Sequence, residues 1–61
     1  MSISKTWYTL EEAGSKYGLQ RALILEWVDE GIVRCEQEGK KVVLVNGDDL
    51  ELKIGEMDSE R

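Results

Sequence analysis

The stretch LILEWVDEG, residues 23–31, decides the fold of this chain, because it predicts a helix with one apolar face and a defined end. At about 100° per residue, one side of that helix carries Leu23, Ile24, Trp27 and Val28. Gly31 supplies the stop, since a residue just past a helix end often needs a positive φ. The opposite side carries Ala22, Leu25, Glu26 and Asp29. We expect this side to face water and to carry the functional residues of the helix.

Length and composition limit what the chain does. Its 61 residues predict one domain, since a chain of this size buries only about 60% of the surface that its unfolded form exposes. With no histidine and one cysteine, Cys35, the sequence offers neither a disulfide framework nor a Cys/His metal set. We therefore predict no metal, no cofactor and no catalytic residue, and a protein that is not an enzyme. The lone cysteine favours a reducing, cytoplasmic setting, and the short apolar runs predict no membrane partner.

The formal net charge is −5, from 13 acidic and 8 basic residues. Taken alone, this charge argues against a non-specific nucleic-acid binder, because phosphate contacts require Lys and Arg. The distribution of charged residues along the chain matters more than the net charge. Much of the acidity lies in the last segment, which we expect to lie away from any binding face: Asp49, Glu51, Glu56, Asp58 and Glu60.

A capping box opens the first helix at Thr9-Leu10-Glu11-Glu12. The Thr9 hydroxyl can accept from the Glu12 amide, while the Glu12 carboxylate can accept from the Thr9 amide. We predict a helix over residues 10–17 that ends at Gly18. Gly14 inside it indicates close approach of the second helix, since a glycine costs up to about 1 kcal/mol in a helix interior.

The second helix is predicted over residues 20–30, with Gln20 as a mediocre N-cap. Residues 33–37 and 41–45 then predict a hairpin with its tip at 38–40. Alternation places Val43 and Val45 towards the core, and Val42 and Leu44 outward. A short third helix follows the turn and cap at Asn46-Gly47-Asp48-Asp49 and closes at Gly55. We divide the chain into an N-terminal segment (1–7), a domain (8–55) and an acidic tail (56–61).

This order of elements resembles the MerR-like and excisionase-like winged helix-turn-helix families. The resemblance rests on Tyr8-Thr9-Leu10-Glu11-Glu12-Ala13, Tyr17-Gly18-Leu19, Ile24, Trp27-Val28, Gly31-Ile32, Val43, Val45 and Asp49-Leu50. It implies an α+β fold: two N-terminal helices, a β-hairpin wing and a short C-terminal helix. It also implies a partner, double-stranded DNA, with the second helix in the major groove and the wing along the backbone or minor groove. Proteins of these families regulate transcription, direct recombination or package phage DNA.

Carried over position by position, the resemblance makes Gln20, Arg21, Ala22, Leu25 and Glu26 the groove-facing residues. Leu25-Glu26 stands where the families usually carry two basic residues, and a carboxylate beside phosphate is repulsive. The remaining basic residues are separated points on one side, as a duplex straddled by helix and wing requires. The predicted DNA-binding residues are Gln20, Arg21, Arg34, Lys40 and Lys41. Ordinary solvation is the other interpretation of the lysines, which at a hairpin tip also discourage edge pairing.

An alternative function is a protein-interaction adaptor on the same fold that has lost DNA binding. Its predicted contact patch is Leu25, Glu26, Val42 and Leu44, an apolar set with an acidic neighbour. The segment Leu25-Glu26-Trp27-Val28-Asp29-Glu30-Gly31-Ile32 is similar to the chaperone-modulator family, whose domain binds a J-domain co-chaperone. The long helix expected after Asp49-Leu50 in that family is missing here. A homodimer through the strand that carries Val42 and Leu44 is also open.

Overall fold

In the computed structural model, which describes residues 5–59, three helices accompany one antiparallel sheet. The elements in chain order are β1 (Trp7–Tyr8), α1 (Leu10–Tyr17), α2 (Arg21–Asp29), β2 (Cys35–Glu38), β3 (Lys41–Asn46) and α3 (Gly47–Ser59). The strand order across the sheet is β1-β3-β2, so β3 is the central strand. The small α+β architecture expected from the sequence is confirmed.

Helix α1 forms between the two local signals that the sequence carries. The Thr9 Oγ1 accepts from the Glu12 amide at 3.1 Å, and the Glu12 Oε1 accepts from the Thr9 amide at 3.1 Å. This is the predicted capping box, which satisfies two amides that the first helical turn leaves free. At the other end Gly18 has a φ of 68°, in the left-handed region that favours glycine. The predicted bounds of this helix are confirmed.

Helix α2 presents the apolar face of residues 23–31 to the interior. Ile24 and Trp27 are buried, and Leu23 and Val28 are half-buried against them. The Gln20 side chain makes no capping bond, as expected of a weak N-cap. Gly31 has a φ of 82°, and the Ile32 amide behind it donates to the Trp27 carbonyl at 3.0 Å. The predicted stop of the helix at Gly31 is thus confirmed.

Strand β1 was not predicted. Trp7 pairs with Asn46 and Tyr8 with Val45, which places Trp7 of the predicted N-terminal segment and Tyr8 of the predicted domain in the sheet. Two residues are too few to show a period of two in a sequence. Residues 1–4 of that segment lie outside the described residues. Because β1 and β2 flank β3 on both sides, the most apolar strand of the chain occupies the centre of the sheet.

The hairpin differs from its prediction in bounds and in register. Its strands are Cys35–Glu38 and Lys41–Asn46, with Gly39 and Lys40 in the turn. Glu36 pairs with Leu44 but Gln37 pairs with Val42, so Val43 is the extra residue of a β-bulge. The bulge interrupts the alternation on which the prediction relied. Val42 therefore packs against the core, and its predicted outward position was wrong.

Helix α3 begins at Gly47, directly after β3, and the buried side chain of Asn46 caps it. The Asn46 Oδ1 accepts from the Asp49 amide at 2.9 Å. The helix then continues past Gly55 to Ser59, so the end predicted at Gly55 was wrong. A glycine in a helix interior costs only about 1 kcal/mol, which is too little to end a helix by itself. Residues 60 and 61 of the predicted tail lie outside the described residues.

The core lies between α1, α2, the sheet and the start of α3. Its buried apolar side chains are Leu10, Ala13, Ile24, Trp27, Val33, Val45 and Leu50. Helix α3 is held to α1 by a bond in which the Tyr17 hydroxyl donates to Glu51 Oε2 at 2.8 Å. Burial, together with this bond to a carboxylate, raises the pKa of Tyr17, so the hydroxyl keeps its proton.

Candidate nucleic-acid interface

Two of the predicted DNA-binding residues, Arg21 and Lys41, line the same open groove. Arg21 is the first residue of α2, and Lys41 is the first residue of β3. Thr9, Leu10 and Glu11, at the start of α1, also line the groove. The turn at Gly18 brings the N-terminus of α2 to this position, and the hairpin brings Lys41 to it from the other side. Both side chains are exposed, and within residues 5–59 neither forms an ion pair.

Gln20 and Lys40 lie next to this groove along the chain but do not line it. Both are exposed. Gln20 precedes Arg21, and its side-chain amide is not used to cap α2. Lys40 lies in the hairpin turn beside Lys41, with no ion pair to any described residue. The fold thus keeps four of the five predicted residues in two adjacent pairs around one groove.

Arg34, the fifth predicted residue, is bound within the protein. Its Nε donates to Asp49 Oδ2 at 2.8 Å and its Nη2 to Asp49 Oδ1 at 3.2 Å. The Arg34 backbone amide also donates to Asp49 Oδ2, at 3.0 Å. These bonds lower the pKa of Asp49 and raise the pKa of Arg34. Arg34 links the hairpin to α3, and its charge is compensated before any ligand arrives.

A second set of cations, which the sequence did not indicate, surrounds Tyr8. The Lys5 Nζ lies 5.4 Å from the centre of the Tyr8 ring, and the Lys16 Nζ lies 5.8 Å from it. Lys5 also donates to both carboxylate oxygens of Glu12 at 2.9 Å, which lowers the pKa of Glu12. The Lys16 Nζ lies over the rings of Tyr8 and Tyr17, and within residues 5–59 Lys16 forms no ion pair. Pairing of β1 with β3 creates this cluster, and a two-residue strand leaves no recognisable sequence signal.

The predicted protein-contact patch does not form one exposed surface. Leu25 and Val42 are half-buried and pack against the core. Leu44 is half-buried on the sheet, opposite Glu36. Glu26 alone is fully exposed among the four predicted residues. The large exposed apolar side chains of the described region are instead Ile32, Leu52 and Met57.

The outward face of α2 carries no cation after Arg21. Glu26, Asp29 and Glu30 are all exposed towards its C-terminal end. A phosphate backbone near these three carboxylates is repelled, whereas one near Arg21 is attracted. The electrostatics of the molecule therefore favour an anionic ligand at the start of α2 and disfavour one along its remaining length.

Within residues 5–59, no group of three or more Cys, Asp or Glu side chains is arranged to hold a metal ion. In that part of the chain, too, every helix is too short or too polar to cross a bilayer. Comparison of the chain with protein-family models, with curated proteins and with solved structures finds no match.

Proposed function

We propose that this protein binds double-stranded DNA as a small winged helix-turn-helix module of the MerR-like or excisionase-like type. In this proposal α1 and α2 are the helix-turn-helix, and the hairpin of β2 and β3 is the wing. The observation that carries the proposal is the groove in which Arg21 and Lys41 lie together. Two elements distant in sequence contribute one cation each to that groove, and neither cation forms an ion pair within the described residues.

The contacts that such a module makes are chiefly to phosphate. Arg21 and Lys41 attract the backbone of one strand, and Lys40 adds a third cation at the turn of the wing. Gln20, whose amide carries both donors and an acceptor, is placed to contact a base edge or a sugar. Glu26, Asp29 and Glu30 keep the C-terminal half of α2 away from phosphate. A regulator or recombination directionality factor is the class of protein that fits a weak, small module of this kind.

The test is removal of one charge at a time. We expect Arg21→Gln and Lys41→Gln each to weaken binding of a random-sequence duplex by about tenfold at low salt, the loss of roughly one phosphate contact. Lys53→Gln is the matched control, because it makes the same change in net charge on α3, where Lys53 already faces Glu56 at 3.9 Å. Fluorescence anisotropy of a labelled duplex measures the affinity.

Two outcomes contradict the proposal. Wild-type protein that does not bind duplex DNA at concentrations of about tens of micromolar excludes it, because non-specific affinity depends on the same charges. If all three substitutions weaken DNA binding equally, the affinity depends only on net charge, and the groove is not the binding site. An NMR titration with the duplex adds the location of the binding face, which we expect at the start of α2 and along β3.

The second candidate, a protein-interaction adaptor, is favoured by the three exposed carboxylates on α2, Glu26, Asp29 and Glu30. An acidic helix face suits a basic protein partner such as a co-chaperone better than it suits DNA. In this case the NMR titration with duplex leaves the spectrum unchanged. Titration with a purified J-domain then shifts the amides of the C-terminal half of α2.

A further inference from the structure

Glu11 lies at the meeting point of both cationic regions. It lines the groove of Arg21 and Lys41, and it also lines the cleft that holds Lys5 and Lys16. Its side chain is exposed. Among residues 5–59 it forms neither an ion pair nor a side-chain hydrogen bond, whereas the neighbouring Glu12 is used by both Lys5 and Thr9.

One structural reason for an acidic residue at this position is the helix dipole. A carboxylate in the first turn of a helix contributes roughly 0.3–1 kcal/mol. Glu12 already occupies that turn and also completes the capping box. The capping bonds of α1 are thus made without Glu11, whose carboxylate remains available to a ligand.

We infer that Glu11 is a specificity-determining residue of the proposed DNA interface. The inference rests on the proposed function. A phosphate backbone that approaches Arg21 and Lys41 also approaches the Glu11 carboxylate, which repels it and weakens binding to any duplex. A carboxylate also accepts hydrogen bonds from the exocyclic amino group of cytosine. Sequences that offer such a donor offset the repulsion, and other sequences do not.

The inference predicts that Glu11→Gln strengthens binding to random duplex DNA by about three- to tenfold, because one repulsive charge near phosphate is removed. Glu56→Gln is the matched control: it makes the same change in net charge on α3, away from the groove. We expect it to change the affinity by less than about twofold. The affinity ratio between all-G·C and all-A·T duplexes should also be larger for wild-type protein than for Glu11→Gln.

The outcomes separate this inference from the proposed function. If wild-type protein and both variants fail to bind, the proposed function is wrong and the inference falls with it. If all bind but Glu11→Gln and Glu56→Gln strengthen binding equally, or if Glu11→Gln has no effect, the DNA proposal stands and Glu11 has no special role. An unchanged preference between the two duplexes likewise overturns the assignment of specificity. Circular dichroism melting shows whether α1 remains folded in Glu11→Gln.

Discussion

Two glycines inside helices, Gly14 and Gly55, have opposite surroundings. A Cβ placed on Gly14 would lie 2.9 Å from the Leu19 carbonyl oxygen, a backbone atom of the turn between α1 and α2. Leu19 also donates its amide to the Gly14 carbonyl at 3.0 Å, so the turn folds directly over this residue. The expected close approach of α2 is therefore an approach of the turn. A Cβ on Gly55 would meet no atom within 4 Å.

We expect Gly14→Ala to lower the free energy of unfolding by about 1 kcal/mol, because the overlap with the turn outweighs the gain in helix propensity. Gly55→Ala should raise it by about 0.5–1 kcal/mol, since alanine favours the helix and the site has room. Urea titration followed by the fluorescence of buried Trp27 measures both. A stabilised Gly14→Ala variant would show that the turn adapts without cost.

At the scale of elements, β3 decides which apolar residues are available to a partner. The bulge at Val43 separates the strand into two parts whose alternation is out of step. Val45 is fully buried and Val42 packs against the core, while Leu44 lies on the other surface. Of the two side chains expected to serve a homodimer or a protein contact through β3, Leu44 remains available, whereas Val42 does not.

Alanine substitutions at Val42 and Leu44 test the register of β3 against β2. Val42→Ala should lower the free energy of unfolding by about 1 kcal/mol, because a half-buried side chain that touches the core is truncated. Leu44→Ala removes more atoms but should cost less than Val42→Ala, since Leu44 has no contact with the buried cluster. Chemical denaturation of the two variants under the same conditions makes the comparison. A larger loss at Leu44 would mean that the strand alternates without a bulge.

For the whole molecule, the arrangement of charge matters more than its total. The net charge of −5 opposes association with DNA at long range. Two of the described cations form close ion pairs within the protein, Arg34 with Asp49 and Lys5 with Glu12. Arg21, Lys40 and Lys41 have no such partner in the described part of the chain, and they meet near one groove. Lys16, beside Tyr8 and Tyr17, also lacks an ion pair within the described residues, so the attraction of phosphate is limited to these two regions.

The small number of available cations fixes the expected response to salt. With about three phosphate contacts, the logarithm of the binding constant should fall against the logarithm of salt concentration with a slope of about −2 to −3. Anisotropy titrations of random duplex over a range of salt concentrations give this slope. A slope steeper than about −5 would require more phosphate contacts than the groove and the wing turn provide.

Features that depend on neighbours within one helical turn could be predicted from the sequence. The capping box of Thr9 and Glu12, the end of α1 at Gly18 and the end of α2 at Gly31 all rest on bonds between residues a few positions apart. The inward face of α2 follows from helical periodicity alone. For the candidate site, the sequence indicated Arg21 and Lys41, because exposed cations are recognisable without their partners.

Four features could not be predicted from local patterns and follow from the tertiary structure. They are the pairing of β1 with β3, the bulge at Val43, the ion pair of Arg34 with Asp49, and the position of Glu11 between two cationic regions. Each depends on groups that are distant in sequence, or on which of several registers packs best. Local patterns do not encode such choices, since the gain from a long-range contact depends on the complete core around it. The apolar face of residues 23–31 provides part of that core, but the sheet and α3 determine which charges remain free at its surface.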